Sequence, residues 1–345
     1  MLDLSPLNGV SRLLMTVPLR PLQGDRFQPT GFPSLGAATY QTKDGPKLLV
    51  ESVQSMANRL EATCWDSATN KPVAPLEGIS HVTVTRKGEF LTDSMLEAHR
   101  LNSVYIERSK GDFFTKTLPN AIGASKEEPV DRKKLVEALL KFDVGCLIHG
   151  VFLESLDGRL RIARALSAFI EASGIQVAPS GGVKNDRVKA TKNVEGGKTS
   201  KEGFGNVPFA RDEYVAETIN LYINLDLAQI RGYGLGEKVE RLLILLALFK
   251  VRKLIEGDLR LRTACDLEPL DRDNIVANRL AEFKLPSLTD LESAVRAAIA
   301  ECKGLMVHTT VTFEDDLKKA KDEKKPKEED ADNSGEDEDN TENDE

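Results

Sequence analysis

Amides, hydroxyls and a guanidinium are spaced along one side of the segment Leu48–Leu60, LLVESVQSMANRL. At about 100° per residue, this segment predicts a helix whose apolar stripe contains Leu49, Val53, Met56 and Leu60. The opposite arc contains Glu51, Gln54, Ser55, Asn58 and Arg59. Side chains of these types hydrogen-bond to phosphates, sugars and base edges, or they cap neighbouring loops. The segment therefore predicts either a surface that binds nucleic acid or a core helix with a polar outer side, and the spacing alone favours the core helix.

An irregular run, RFQPTGFPSLG (Arg26–Gly36), comes shortly before this helix. Its two prolines and two glycines predict a shaped loop rather than a regular element. A loop that holds Arg26, Phe27 and Phe32 could clamp a ligand. It could equally be pinned to the core by its phenylalanines, and the residue types alone favour this second interpretation.

A second stretch with chemical potential is the glycine- and lysine-rich run 181–207. Between Lys184 and Lys201 it has six basic residues, opposed only by Asp186 and Glu195. A mobile loop with this local positive charge attracts a phosphate backbone, with a salt-dependent contribution from each contact. The same composition is also typical of a solvated surface insertion, so both interpretations remain open.

A glycine-rich turn, QIRGYGLG (Gln229–Gly236), leads into the predicted helix Glu237–Glu256. A strand, a glycine turn and a helix N-terminus together can cradle an anion, although GYGLG matches neither GxGxxG nor a P-loop. An enzyme that uses this turn or VAPSGGV (Val177–Val183) as a phosphate-binding loop is therefore the alternative function. No HExxH, GxSxG or Cys/His dyad supports it, so no catalytic residue is expected. His149, flanked by apolar residues, favours a satisfied core histidine over a catalytic base.

The net charge of −8 is distributed unevenly. Residues 314–345 contain 16 acidic and 6 basic side chains, whereas the preceding 313 residues contain 39 acidic and 41 basic side chains. The segment 314–345 has almost no apolar residues, which predicts a disordered acidic tail. Because the remainder is nearly neutral, any surface for nucleic acid must be local.

The four cysteines lie far apart and form no CxxC pair, so neither a metal site nor a cofactor is expected. Cys146 and Cys265 lie in apolar runs, which predicts buried free thiols. The N-terminus lacks the basic start and apolar core of a signal peptide. The longest apolar run, Leu242–Phe249, has eight residues, far fewer than the roughly 20 that span a bilayer. We therefore expect a cytoplasmic protein without a membrane partner.

Hydrophobic periodicity predicts interleaved strands and helices, and hence an α+β fold. The predicted strands are Val10–Leu19, His81–Arg86, Ser103–Glu107, Val144–Phe152, Ile219–Leu225, Leu259–Leu267 and Leu305–Phe313. The other predicted helices are Thr92–Leu101, a helix capped by Asp131, Leu160–Ser173 and Leu288–Cys302. The alternation of strands and helices from Ile219 to Phe313 would suit half of a ferredoxin-like core, similar to an RNA-recognition motif.

The sequence segment RFQPTGFPSLG, followed closely by LLVESVQSMANRLE, resembles the Csb-one family. This family is the Cas-seven-type backbone subunit, within the RAMP superfamily, of the type I-G (formerly I-U) CRISPR surveillance complex. The resemblance continues through Gly150–Val188 and Pro208–Pro269. It implies a single RAMP-like, RNA-binding domain over residues 1–313, followed by the acidic tail 314–345. It also implies a ferredoxin-like core with finger and thumb insertions, the basic loop 181–207 being one insertion.

The resemblance further implies a non-catalytic subunit that assembles head to tail along the spacer of a CRISPR RNA (crRNA). Such a subunit holds the sugar-phosphate backbone and leaves the bases free to pair with target DNA. Its other partners would be further copies of itself, a large subunit and a Cas-five/Cas-six-type subunit. Chemistry and placement within the family-like segments select the expected RNA-binding residues, which are Arg26, Gln28, Gln54, Asn58, Arg59, Lys184, Asn185, Arg187, Arg231 and Tyr233.

Overall fold

The computed structural model describes residues 2–32, 36–124, 129–184, 207–280 and 283–315. The strands are Arg12–Pro21 (β1), Gly31–Phe32 (β2), Gly36–Ala37 (β3), Thr39–Thr42 (β4), Gly45–Glu51 (β5), Trp65–Asp66 (β6), Lys71–Pro72 (β7), His81–Arg86 (β8), Glu89–Asp93 (β9), Val151–Phe152 (β10), Arg161–Ile162 (β11), Leu166–Ser173 (β12), Gln176–Lys184 (β13), Val207–Val215 (β14), Thr218–Asp226 (β15), Leu259–Arg262 (β16), Cys265–Pro269 (β17) and His308–Thr312 (β18). The α-helices are Val53–Ala62 (α1), Val104–Glu107 (α2), Leu118–Ile122 (α3), Arg132–Phe142 (α4), Gly145–His149 (α5), Leu227–Gly232 (α6), Glu237–Glu256 (α7) and Leu288–Glu301 (α8). Short 3₁₀ turns cover Ser5–Leu7, Ala74–Leu76 and Arg100–Asn102, and a π-helical turn covers Phe113–Thr117.

Seven strands form one antiparallel sheet in the order β16–β17–β1–β15–β12–β5–β4. Along β12 and β15, buried residues alternate with half-buried ones, so the sheet has one face in the core. The buried hydrophobic residues form one cluster that includes Leu4 near the N-terminus and Phe313 near the end of the described chain. The sequence prediction of a mixed α+β protein is confirmed.

Helix α7 is the central helix of the core, and it packs against α1, α6 and α8. Its sequence prediction is confirmed residue for residue, because Glu237 and Glu240 occupy its first turn and Lys253 its last. Although α7 has 20 residues, none of the helices in the described ranges is long and apolar enough to cross a membrane. All four cysteines are buried and free, as predicted for Cys146 and Cys265.

A separate sheet has the order β18–β8–β9, in which β18 runs parallel to β8. The predicted strands His81–Arg86 and Leu305–Phe313 are therefore confirmed as β8 and β18. The expectation that the last strand joins Ile219–Leu225 in one core sheet is wrong. Strand β15 pairs with β1 and β12, whereas β18 lies beside β8, because Thr310 and Val311 are in register with Thr83 and Val84.

The predicted helix Leu160–Ser173 is wrong, because residues 166–173 form strand β12. Its apolar residues fit both periods. Ile162, Leu166 and Ile170 share one helical face, yet Leu166 and Ile170 also share one side of a strand with two buried alanines. Pairing with β15 along the whole of β12 stabilises the strand. This alternative could not be detected from the segment itself.

Three more element predictions are wrong, and a fourth is correct only in part. Val144–Phe152 contains helix α5 before the short strand β10, because an apolar run buried on all sides carries no usable periodicity. Ser103–Glu107 contains helix α2, and its Ser103 hydroxyl caps the backbone N–H of Tyr105. Thr92–Leu101 begins with the end of strand β9 and ends in a 3₁₀ turn. The predicted strand Leu259–Leu267 is a hairpin of β16 and β17, in which Ala264 has φ 58°.

The predicted N-cap of α4 is confirmed, since the Asp131 carboxylate accepts hydrogen bonds from the backbone N–H groups of Lys133 and Lys134. We expect Asp131→Ala to lower the melting temperature by about 2 °C in thermal denaturation followed by circular dichroism. These bonds lower the pKa of Asp131, so the stabilisation exists above the ordinary aspartate pKa and is lost as the pH falls. Asp112→Ala is the control, because Asp112 starts a helical turn without a side-chain cap bond. Equal losses in the two variants would contradict the capping role.

Candidate nucleic-acid interface

The loop that begins at Arg26 is tied to three other parts of the chain, and we call this region the junction. Phe27 exchanges backbone hydrogen bonds of 2.9 Å with Tyr214 of β14. The Gln28 N–H donates to Ala264 in the β16–β17 turn at 2.8 Å, and the Thr30 N–H donates to Val50 of β5 at 3.1 Å. Phe27 is only 1% exposed, so the loop is pinned to the core by this phenylalanine, as the residue types favour.

A buried carboxylate holds the junction together. The Glu51 side chain is 3% exposed and accepts a hydrogen bond from the guanidinium of Arg262, which also donates to the carbonyls of Gln28 (3.0 Å) and Val50 (3.1 Å). Arg59 of α1 lies 3.6 Å from the same carboxylate and donates to the carbonyls of Arg260 (3.1 Å) and Leu261. Because burial of an unpaired charge is costly, this triad fixes α1 against the loop and the hairpin.

The predicted helix Leu48–Leu60 is confirmed in its second half only. Residues Leu48–Glu51 end strand β5, and α1 begins after Ser52, whose hydroxyl accepts from the backbone N–H of Ser55 at 3.3 Å. The helix buries Met56 and Leu60. Consequently Glu51 belongs to the triad below the surface, while the outer side of α1 retains its amides.

Three of the predicted RNA-binding residues have exposed polar side chains at the rim of the junction. Gln54 and Asn58 are exposed and four residues apart, so they lie on one side of α1. The Arg26 side chain is 56% exposed and lies 3.7 Å from the carboxylate of Glu213. Gln28 is half-buried, with its backbone bonded to the hairpin. Together these side chains can donate hydrogen bonds to phosphate and ribose oxygens.

Arg59 and Arg231 have structural partners. Arg59 is 27% exposed and donates to the β16 carbonyls described above. Arg231 lies at the end of α6, away from the hydrogen bonds of the junction, where it donates to the carbonyl of Val10 and lies 3.9 Å from Glu240. Each arginine ties separate segments together, so its replacement would disturb the fold as well as any ligand.

Tyr233 is a correction to the predicted set, because it is a core residue. It is 7% exposed, and its hydroxyl donates to the carbonyl of Leu147 at 2.8 Å while accepting from Gln229 at 2.7 Å. Burial raises the pKa of Tyr233. A phenol with both hydrogen-bonding roles occupied below the surface is not available to grip an RNA backbone.

Strands β13 and β14 form a two-stranded arm that starts at the junction. Nine residue pairs connect Gln176↔Val215 at its base to Lys184↔Val207, a length of about 30 Å. The described residues along β13 are exposed or half-buried. Lys184 ends the described part of β13, while the predicted contacts Asn185 and Arg187, with most of the basic loop, lie outside the described residues.

The two candidate phosphate loops of the enzyme alternative are not loops of that kind. Val177–Val183 lies within β13, where each residue pairs with β14. Gly236 does precede α7 with φ 88°, but Glu237 and Glu240 occupy the first turn of that helix. Carboxylates at a helix N-terminus already complement its dipole, so they repel a phosphate. The structure therefore does not favour this alternative.

Several junction residues were missed from the sequence. Glu213 is 4% exposed and accepts a hydrogen bond of 3.0 Å from Nε of Arg211. Its carboxylate also lies 3.7 Å from Arg26, so it holds both arginines beside a cavity of about 420 Å³ at the base of the arm. Arg262 pairs with Glu51 across 211 positions of sequence. No local pattern reports a pair so distant, whereas the amides of α1 are visible in one helical arc.

The fold and the junction thus define a mixed α+β protein with an antiparallel core sheet and a projecting hairpin arm. Residues 13–177 match the model of a family described as CRISPR-associated protein GSU0053. This match contains the whole loop Arg26–Gly36 and helix α1. A comparison with curated proteins finds no significant match.

Two solved structures are similar to the chain at low identity. One is a chain described as a CRISPR RNA-guided surveillance complex, pre-nicking, with 14% identity, a TM-score of 0.38 and coverage of 74% of this chain and 73% of that chain. The other is the crystal structure of Csc2 from Thermofilum pendens, with 11% identity, a TM-score of 0.30 and coverage of 87% of this chain and 79% of that chain.

Proposed function

We propose that this protein is a non-catalytic backbone subunit of a type I-G CRISPR RNA-guided complex, within the Csb-one family. The observation that carries the proposal is the match of residues 13–177 to a CRISPR-associated family, because this range includes the loop and helix that form the junction. Their exposed amides and guanidinium suit a sugar-phosphate strand rather than base edges in one order. The subunit therefore accepts any spacer sequence and acts in the cytoplasm.

The proposed core is ferredoxin-like. Strands β17–β1–β15–β12 are neighbours in this order and all pairs are antiparallel. Helix α1 lies in the connection from β1 to β12, and α7 lies in the connection from β15 towards β17. This is the order of a split βαβ arrangement, with β16, β5 and β4 added at its edges. The remaining segments are then insertions around the core.

We propose that the arm β13–β14 is the thumb of this subunit. It leaves the core sheet between β12 and β15, and it projects by about 30 Å from the junction where the RNA would lie. Copies assemble head to tail along the crRNA, so the arm of one copy can reach the RNA held by the next. Target DNA, a large subunit and a Cas-five/Cas-six-type subunit complete the proposed partners.

The double variant Arg26→Ala/Asn58→Ala tests the junction. We expect its affinity for single-stranded RNA to fall about tenfold, evenly across unrelated sequences, because a phosphate contact and a neutral hydrogen bond are lost. The slope of log K against log salt should decrease by about 0.7, the value for one phosphate contact on a single strand. Fluorescence anisotropy with labelled RNA at several salt concentrations measures both quantities.

The matched control is Asn278→Ala/Arg296→Ala, which removes the same side-chain types from exposed positions outside the junction. Its binding should equal that of the unmodified chain. Equal losses of RNA affinity in the two double variants would show that the effect comes from the overall charge of the chain rather than from the junction. Unchanged binding in Arg26→Ala/Asn58→Ala would show that the junction does not bind RNA. If the protein purified without crRNA even in the presence of the companion subunits, the proposed function itself would be refuted.

A further inference from the structure

A second cationic site lies apart from the junction, in a cleft between the start of α4, the β10–β11 hairpin and the entrance to β12. The cleft has a volume of about 810 Å³. The lining residues that matter here are Arg132, His149, Phe152, Glu154, Arg161 and Arg164. None of the junction residues lines this cleft, so it is a separate feature of the surface.

The cleft has an excess of unpaired positive charge. Within the described part of the chain, no carboxylate forms an ion pair with Arg132, Arg161 or Arg164. Glu154 is the single acidic residue among those that line the cleft. Burial and the nearby guanidinium of Arg100 lower the pKa of Arg164. Arg132, Arg161 and Arg164 are exposed, so their guanidiniums can pair with an anion that enters the cleft.

A buried histidine in the wall of the cleft has an unused donor. His149 is 1% exposed, and its Nε2 lies 2.9 Å from the ammonium of Lys250. Burial, with the charges of Lys250 and Arg100, lowers the pKa of His149 well below its ordinary value, so the ring is neutral. Lys250 then donates to Nε2, and the ring proton is assigned to Nδ1. This buried Nδ1–H has no acceptor among the described residues.

An aromatic ring at the rim gives the cleft a second kind of contact. Phe152 is 46% exposed although it follows the buried Val151. It pairs in register with Arg161 across the β10–β11 hairpin, so the two side chains leave the hairpin on the same side. An acidic peptide would use the arginines alone. A nucleotide uses both, because its phosphate pairs with a guanidinium while its base stacks on an aromatic ring.

We infer that this cleft binds a segment of single-stranded nucleic acid, whose phosphates are held by Arg161 and Arg164 and one of whose bases stacks on Phe152. The inference goes beyond the proposed function, since it concerns a strand contact outside the junction.

The full-length chain and a fluorescein-labelled 12-nucleotide oligothymidylate, titrated at several salt concentrations, test this inference. In anisotropy titrations, Arg161→Ala/Arg164→Ala should bind at least tenfold more weakly, and its salt slope should decrease by about 1.4 because two phosphate contacts are lost. Phe152→Ala should bind about fivefold more weakly without a change in slope. Arg279→Ala/Arg296→Ala, which removes two exposed arginines elsewhere, should bind as the unmodified chain does.

Photocrosslinking locates the strand independently of affinity. An oligonucleotide containing 5-iodouracil should form an adduct that mass spectrometry maps to Phe152, and Arg161→Ala/Arg164→Ala should abolish this adduct. Urea denaturation confirms that each variant is folded before binding is compared.

Three outcomes would overturn the inference. They are unchanged titrations without an adduct at Phe152, equal losses in Arg279→Ala/Arg296→Ala, and unchanged titrations combined with loss of self-association in the cleft variant. The last would make the cleft a protein interface. The junction variant Arg26→Ala/Asn58→Ala, titrated in parallel, separates the two proposals. A loss of affinity in the junction variant alone would refute the cleft site and support the junction site. A loss of affinity in Arg161→Ala/Arg164→Ala alone would support the cleft site and refute the junction site.

Discussion

Arg262→Ala is expected to lower the free energy of unfolding by about 3 kcal/mol, measured by urea denaturation at neutral pH. The Glu51 carboxylate is 3% exposed and accepts a hydrogen bond from this guanidinium. Removal of Arg262 leaves the carboxylate with Arg59 at 3.6 Å and also releases the carbonyls of Gln28 and Val50. The remaining contact to Arg59 keeps the loss near the lower end of the range for a broken buried pair, which is roughly 3–5 kcal/mol.

The control for this prediction is Arg260→Ala, two residues earlier in the same strand. The Arg260 side chain is 79% exposed and lies 3.7 Å from Asp266, so its loss should change the free energy of unfolding by no more than about 0.5 kcal/mol. Similar values for the two variants would show that the Glu51 triad does not stabilise the junction. RNA binding by Arg262→Ala should also weaken, because the loop that presents Arg26 loses one of its attachments, the hydrogen bond from Arg262 to the Gln28 carbonyl.

Arg100→Leu is expected to have an effect of similar or larger size, about 3–5 kcal/mol at about pH 8. Arg100 forms a two-pronged pair with Glu61 of α1, in which its Nε donates to Oε1 at 2.9 Å. The side chains are 6% and 5% exposed, and Asp143 is buried nearby. Leucine would fill part of the volume but leave the buried Glu61 carboxylate without its hydrogen-bonded guanidinium, with only the weaker effect of the Lys250 charge to oppose burial.

The penalty in Arg100→Leu should depend on pH. Burial raises the pKa of Glu61, while the charge of Arg100 opposes this rise. Without the arginine the pKa of Glu61 rises further. An ionised Glu61 therefore destabilises the variant only at pH values above this folded-state pKa. As the pH falls through this pKa, the Glu61 carboxyl is protonated, and the difference in the free energy of unfolding between the variant and the unmodified chain becomes smaller. Urea denaturation at about pH 8 and about pH 5 measures this change.

A double variant isolates the pair itself. Arg100→Leu/Glu61→Gln removes both charges of the pair, and it should be more stable than Arg100→Leu at about pH 8 because the Glu61 carboxylate is no longer buried without its guanidinium. Its stability should also depend little on pH in the range where Glu61 of the single variant titrates. A double variant less stable than Arg100→Leu at every pH would show that packing, rather than charge, causes the loss.

The candidate site was predictable to the extent that its residues are close in sequence. Gln54 and Asn58 lie on one side of a short helix, so a helical projection of the sequence is enough to bring them together. Arg26 could be selected from its place in a proline- and glycine-rich loop. Tyr233 could not be judged this way, because its burial depends on Leu147 and Gln229, which lie on other elements.

The sequence by itself determined the elements whose signals are strong and local. Strand β15 alternates buried and half-buried residues over its length, and α7 places acidic residues first and basic ones last. Asp131 caps α4 through backbone groups only two and three residues away. In each case the residues that stabilise the element lie within the element, so no distant partner is needed to recognise it.

Only the tertiary structure decided the identity of β12, the partner of β18 and the charge pairing at the junction. Residues 166–173 fit both a helix and a strand, and hydrogen bonds to β15 selected the strand. Glu51 requires Arg262, and the cleft requires arginines from α4 and from the segment 161–164. Pairing between residues so far apart in the sequence depends on how the chain folds around its core. A local sequence pattern therefore cannot predict it.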